Sequence, residues 1–247
     1  MSQFPKGFFV TGTDTAVGKT VVTAALAYNL KQSGKNVAVM KPVQTGTNTS
    51  KFLDIEFVNL VNEITPPIDD VCPYRFPDPV APLLASKLVG QNIEIPKIKS
   101  AFQSLHNAHE VVLVEGAGGL LVPITEDYLM RDLAFDLDLP LVIVTSPRLG
   151  TLNHTMLTVE SARSRGIKIH GIVINDFPER PSIAESGNPG LMISMTGEKI
   201  LGIVYHDSEL SVEDGKIGNI RGWSRDYFTE ELCGNLDIEN FLSSMTS

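Results

Sequence analysis

The sequence predicts an α/β fold, a mainly parallel sheet flanked by helices, on three observations. Short apolar runs recur along the chain, as strands buried on both faces require. They are Phe8-Phe9-Val10, Val37-Ala38-Val39-Met40, Val111-Val112-Leu113-Val114, Leu141-Val142-Ile143-Val144, His170-Gly171-Ile172-Val173-Ile174 and Ile200-Leu201-Gly202-Ile203-Val204. Helical segments separate them, the crossovers that parallel strands need. The first run enters a loop of small and polar residues closed by Gly18-Lys19-Thr20, the strand–loop–helix order of a phosphate-binding loop.

In chain order, Val21–Gln32 follows that loop as a helix, stopped at Ser33-Gly34-Lys35 by a glycine C-cap. The second strand ends at Lys41-Pro42, and the polar loop Gln44–Ser50 comes next. Phe52–Asn62 puts Leu53, Phe57, Leu60 and Val61 on one helical face and Asp54 off it. The proline-rich stretch Pro66–Pro82 reads as a long excursion without regular structure. Helices over Leu83–Val89 and Pro96–Asn107 lead to the third strand, which ends at Glu115-Gly116-Ala117-Gly118-Gly119. Helices at Leu129–Leu137 and Thr151–Arg165 bracket the fourth strand, and the fifth ends at Asn175-Asp176. Phe177–Gly190 reads as a mobile, proline-containing loop, and a C-terminal helix is expected within Phe228–Leu242. No repeat or interdomain linker interrupts 1–247, so one domain is expected, with 207–247 the less certain C-terminal extension.

Composition narrows the function classes. A net charge of −9 argues against nucleic acid or an anionic membrane as the main partner. No segment approaches the roughly 18 consecutive apolar residues that span a bilayer. Cys72 and Cys233 form no metal-ligand pattern, so a reducing cytoplasm is the simplest home. The start of the chain enters a core strand almost at once, leaving no room for a cleavable signal.

Ligands of open parallel sheets gather at the carboxyl ends of the strands, so the residues there are the ones to read for chemistry. Lys19 is placed to reach the β/γ-phosphates of a nucleotide, and the Thr20 hydroxyl to ligate Mg²⁺. Five residues separate Gly12 from Gly18, one more than the usual motif has, and Thr13 stands where a glycine is expected. Glu115 follows four apolar β-formers, the placement of an acid that holds Mg²⁺ directly or through water. The glycines after it keep Cβ atoms away from a phosphate. Asp54 is a candidate second carboxylate for the metal. Lys41, between a buried strand and a proline, points into the same crevice and can neutralise charge on a transferring phosphoryl group. His206 with Asp207 reads as a solvated turn rather than a metal site, and His106, His109 and His170 carry no assignment.

Gly12-Thr13-Asp14-Thr15-Ala16-Val17-Gly18-Lys19-Thr20, Lys41-Pro42-Val43 with Thr45-Gly46, and Val114-Glu115-Gly116-Ala117-Gly118-Gly119 together resemble dethiobiotin synthase, of P-loop NTPase fold. Leu149-Gly150, Asn153-His154 and Asn175-Asp176 continue the resemblance, which runs from about Gly7 to about Asp207. It implies an ATP- and Mg²⁺-dependent ligase of biotin synthesis that takes 7,8-diaminopelargonic acid and CO₂ (from bicarbonate). One amine captures CO₂ as a carbamate. The carbamate attacks the γ-phosphate, and the neighbouring amine closes the cyclic urea by displacing phosphate.

By the same resemblance Lys41, Lys19 and Thr15 are catalytic, with Thr15 near the carbamate. Thr20, Asp54 and Glu115 hold Mg²⁺. Nucleotide contacts fall on Asp14, Thr15, Ala16, Val17, Gly18, Lys19, Thr20 and Val21, on Asp54, Glu115, Gly116, Ala117 and Gly118, and on the base side at Asn175, Asp176, Tyr205, His206 and Asp207. Thr45 and Lys41 touch the substrate. Its carboxylate falls to Arg148, Gly150, Thr151 and Asn153 across the two-fold axis of a homodimer. Two departures stand out. Tyr205-His206-Asp207 replaces a Pro-containing turn common in the family, and Val80-Ala81-Pro82 lacks a hydroxyl that some members place beside the substrate.

Two other classes compete. One is a related P-loop amidoligase or synthetase with another substrate. The other is a ParA-like switch ATPase, which carries a lysine near the start of its phosphate loop. Thr11–Val17 contains none, and the tail from Glu230 onward is acidic, without the basic amphipathic character of membrane-positioning relatives.

Overall fold

The computed structural model describes residues 6–49 and 51–245. Met1–Pro5, Ser50, Thr246 and Ser247 lie outside the described residues, and with them the ends of the expected domain and the last residue of the polar loop. Six strands form the central sheet: β1 (Gly7–Gly12), β2 (Val37–Met40), β3 (Val111–Gly119), β4 (Leu141–Thr145), β5 (Ile169–Phe177) and β6 (Ile200–Tyr205). Their order is β6-β5-β4-β1-β3-β2, and every pairing is parallel. All six apolar runs of the sequence are therefore strands. Phe8, Phe9, Val112, Leu113, Val142 and Ile143 are wholly buried, as helices on both faces demand.

The connecting helices are α1 (Lys19–Gln32), α2 (Asp54–Asn62), α3 (Pro82–Val89), α4 (Ile95–Ala108), α5 (Met130–Asp136), α6 (Thr151–Ser164) and α7 (Ile183–Thr196). The chain leaves β1 for β2, returns to β3 beside β1, and then crosses to β4 on the other side. This reversal opens a crevice at the carboxyl end of β1, the place where an open α/β sheet binds ligand.

Several expectations need correction. The expected loop Phe177–Gly190 instead enters α7 at Ile183. Ser182 and Glu185 form a capping box: Glu185 N donates to Ser182 Oγ at 3.3 Å, and Ser182 N donates to Glu185 Oε2 at 2.8 Å. Gly187, Pro189 and Gly190 look like breakers, but packing of Asn188, Pro189 and Met192 into the protein overrides local propensity. The stretch Pro66–Pro82 is not irregular throughout. Ile68–Val71 makes one helical turn, and Tyr74–Arg75 pairs in parallel with Val43–Gln44. This pairing holds the chain just after Lys41. At the C-terminus, the region expected to be one helix divides into a 3-10 turn at Glu230–Leu232 and a helix at Ile238–Ser244, α8. Cys233, in left-handed conformation, and Gly234 separate the two. Finally, β3 runs on through Gly119, so Glu115 sits inside the strand, opposite Val10 of β1.

Candidate active site

The phosphate loop, Thr13 to Gly18, leaves β1 and turns through left-handed backbone at Ala16 (φ 57°) and Gly18 (φ 88°) before α1 begins. Gly18 is required on two counts. Its φ lies where a side chain is strained, and a Cβ there would fall 1.9 Å from Asn175 Nδ2. The Asn175 amide meanwhile donates to Val17 O at 3.1 Å and so braces the loop from β5. Gly18→Ala should lower the melting temperature by several degrees and abolish tight nucleotide binding. The left-handed conformation alone costs about 1–2 kcal/mol, and calorimetry on the variant checks both effects.

Four charged side chains converge behind this loop. Lys41 is buried, and its Nζ donates to Glu115 Oε1 at 2.6 Å, to Asp54 Oδ2 at 2.8 Å and to Gly116 O at 3.4 Å. Glu115 Oε1 also accepts the Thr20 hydroxyl at 2.9 Å. Lys19 is buried too, with its Nζ donating to Asp14 O at 3.3 Å. Thr15, Ala16, Thr45, Ala117 and Gly118 also line this crevice, which has a volume of about 390 Å³.

The two ammonium groups differ because their partners differ. Burial pushes the Lys19 ammonium down, and the nearby Lys41 charge adds to this, leaving it at about 8. Burial also disfavours the Lys41 charge, but Asp54 and Glu115 outweigh it and hold Lys41 above the ordinary lysine value. Burial would raise the Asp54 carboxyl, yet Lys41 holds it below the usual carboxylate range. Lys41 is thus permanently charged, whereas Lys19 loses its proton near pH 8 unless an anion arrives. A polyphosphate favours protonated Lys19, so nucleotide affinity should be level below about pH 8. Above it affinity should fall by up to about tenfold per pH unit, with proton uptake on binding. Isothermal titration in buffers of different ionisation enthalpy checks both.

The Asp54 and Glu115 carboxylates are already gathered on a cation, the Lys41 ammonium, and the Thr20 hydroxyl donating to Glu115 completes an all-oxygen set. Hard oxygen donors of this kind, few in number, fit Mg²⁺ shared with substrate phosphates and water. Among the described residues no cluster of three or more His, Cys, Asp or Glu offers a self-sufficient metal cage.

Beside the crevice lies a second hollow of about 190 Å³, lined by Ala16, Val21, Asn175, Tyr205, Asp207 and Trp223 among others. Its lining mixes apolar Val21, Val204 and Trp223 with polar Asn175 and Asp207, a mixture common in small-molecule sites. His206 Nδ1 meets Asp176 Oδ1 at 2.7 Å. Asp207 instead accepts the N–H groups of Glu209 and Asn219, each at 2.9 Å, and shapes the turn.

The family described as "AAA domain" matches residues 6–214. The chain is 42% identical to the ATP-dependent dethiobiotin synthetase of Bacillus licheniformis over 231 residues, covering 93% of this chain and 96% of the relative. It is 42% identical to that of Bacillus subtilis strain 168 over 205 residues, 80% and 86% of the two chains. The corresponding protein of Thermodesulfovibrio yellowstonii is 35% identical over 249 residues, 96% and 98%. The chain belongs to the ATP-dependent dethiobiotin synthetase family. Its fold is also similar to that of a ParA family ATPase from Chlorobium tepidum TLS, with TM-score 0.55, 16% identity and 98% of both chains covered. The MinC:MinD complex of Aquifex aeolicus gives TM-score 0.53, again at 16% identity, over 85% and 86%. Those two likenesses show a shared fold.

In this member of the dethiobiotin synthetase family, the remaining expected residues stand apart from the crevice. Arg148, Gly150 and Asn153 are exposed around the start of α6. Arg148 Nη2 pairs with Asp176 Oδ2 at 2.8 Å, and the Thr151 hydroxyl is turned inward to Thr145 at 2.7 Å. Gly150 enters α6 at φ 97°, with no side chain capping the first helical N–H groups. A groove of about 400 Å³ runs from Thr15 past Val122 to His154 and Leu157 on α6.

Sequence reasoning missed three contributors. Val212 and Glu213, from a hairpin in the C-terminal extension, close one side of the Lys41 crevice. Asn188 Nδ2, from α7, donates to Pro147 O at 2.8 Å and anchors the turn before α6. The hairpin strands are two residues each, too short for a periodic signal. Asn188 lay in the stretch read as a loop.

Proposed function

We propose that the protein is an ATP- and Mg²⁺-dependent dethiobiotin synthetase of biotin biosynthesis, closing 7,8-diaminopelargonic acid and CO₂ into a cyclic urea. The observation that carries this reading is the pairing of a permanently charged Lys41 with the Lys19 phosphate loop in one crevice. Carbamate and ATP are both anions, and bringing them together demands concentrated positive charge. A nucleotide switch has no use for the second lysine, and the phosphate loop lacks the lysine of ParA-like switches between Thr11 and Val17.

In this reading Lys19 and the loop amides hold the β/γ-phosphates, and Asn175 faces the base. Thr20, Asp54 and Glu115 hold Mg²⁺, which offsets the charge of the phosphates. Thr15 and Thr45 flank the carbamate. Lys41 steadies the charge as a carbamate oxygen attacks the γ-phosphorus and ADP leaves. The neighbouring amine then attacks the carbamoyl carbon, and phosphate departs with that oxygen. The substrate supplies its own nucleophiles, so the protein contributes positioning and electrostatics.

The uncapped start of α6 suits the substrate carboxylate. We place it across a homodimer axis, because Leu121 and Leu157, which line the groove, are exposed, as is Leu149 just before α6, 93% exposed. Among the described residues no helix is long and apolar enough to cross a membrane, and both cysteines are free. A cytoplasmic setting follows in this reading.

The test is phosphate release from Mg-ATP and bicarbonate with and without the diamine, the organic product being weighed by mass spectrometry. Diamine-dependent release with a dethiobiotin mass supports the proposal. Release that ignores the diamine, with no ring product, overturns it.

A further inference from the structure

Thr145 closes β4 and is completely buried. Its Oγ1 lies 3.0 Å from Thr13 Oγ1 in the phosphate loop, 2.7 Å from Thr151 Oγ1 and 3.1 Å from Thr155 Oγ1 in α6. A hydroxyl has one proton to donate and two lone pairs to accept with, so three partners saturate it. Thr151 and Thr155 are themselves buried, which leaves this cluster little room to rearrange. Thr13 is only half-buried, and its N–H also donates to Val144 O at 2.9 Å. One side chain therefore ties the loop ahead of α1 to the first turn of α6. Both helix starts present N–H groups without a side-chain cap.

We propose that Thr145 is a positioning residue that locks the phosphate loop to the start of α6, so that nucleotide bound on the loop orders the α6 end. The bonds join neutral hydroxyls and are buried on the α6 side, where losing a partner leaves the others unsatisfied. For the catalytic consequence the inference rests on the reading of the α6 start as the carboxylate site. Its structural half needs only nucleotide binding. Thr145→Val keeps the shape and removes the hydroxyl, whereas Thr145→Ser keeps the hydroxyl and removes a methyl. Thr13→Val severs only the loop's half of the link, at a position exposed enough to leave folding intact.

The experiment is amide hydrogen exchange across Thr151–Thr155, with and without a non-hydrolysable ATP analogue and Mg²⁺. The wild type and Thr145→Ser should show slowed exchange at the α6 start on nucleotide binding, and Thr145→Val and Thr13→Val should not. In turnover, Thr13→Val should lose roughly three- to tenfold in kcat, as loss of one hydrogen bond predicts, and Thr145→Val, which removes three, at least as much. KM for ATP should move less than kcat. Slowing that is absent in the wild type, or undiminished in Thr13→Val and Thr145→Val, overturns the proposal. So does a serine variant as impaired as the valine one, because packing rather than the hydroxyl would then be responsible. If Thr145→Val does not fold, Thr13→Val decides. A wild type that orders α6 yet makes no ring product leaves this link standing and removes the proposed activity instead.

Discussion

Lys41→Ala should bind Mg-ATP and yet lose roughly 10²–10³-fold in kcat for ring closure, the loss expected when one preorganised charge is removed from a developing anion. The reason is its position. Lys41 is bonded to Glu115 and Asp54 rather than to the loop that wraps the phosphates. Its tethers are carboxylates of β3 and α2, not the loop that anchors the nucleotide. Removing it also strands two carboxylates, Glu115 being 1% exposed, without their counter-ion. Such a loss typically costs about 3–5 kcal/mol, so the free variant should melt well below the wild type, and added Mg²⁺ should recover part of the difference. Steady-state kinetics paired with thermal melts check both halves. A variant with near-normal kcat would remove Lys41 from the chemistry.

Lys19→Ala should act on a different quantity. Its ammonium is buried and weakly tethered, donating among the described residues only to Asp14 O, and it is half-discharged near pH 8 until phosphate arrives. Truncating it should weaken nucleotide binding by about 10²-fold or more, in line with the roughly 2–5 kcal/mol lost when one side of a buried charge pair is removed. The variant's affinity should also lose its fall above pH 8, since the titrating group is gone. Titration calorimetry at two pH values separates this outcome from a fold defect. Lys41→Ala and Lys19→Ala together thus divide transition-state stabilisation from ground-state binding.

Much of this arrangement was legible in the chain because it sits where sequence signals are strong. Six apolar runs located the whole central sheet, and the residues just past their carboxyl ends included Lys41, Glu115 and Asn175. Those runs are buried on both faces, so their pattern depends little on context. Apart from the family resemblance, Asp54 was visible only as an off-face helical carboxylate that could join the metal. Its contact with Lys41 required knowing how α2 packs against α1. Glu213 and Asn188 were invisible for a related reason. Each belongs to an element whose local signals point elsewhere, a hairpin of two-residue strands and a helix containing Pro189. The Ser182–Glu185 capping box was the one local cue that α7 begins where it does. Thr145 belongs to neither group. Its position at a strand end was plain, but a saturated hydroxyl contacting the loop and α6 is a property of three dimensions.

The central claim is that a carbamate oxygen, not water, attacks the γ-phosphate in the Lys19–Lys41 crevice. A single turnover with bicarbonate labelled with oxygen-18, run faster than the label exchanges with solvent, reads this directly in the phosphorus spectrum of the released phosphate. The account predicts phosphate carrying one labelled oxygen and a ring product carrying the other in its ureido carbonyl. Unlabelled phosphate released in the presence of the diamine would mean attack by water, and with it a nucleotide hydrolase rather than a synthetase.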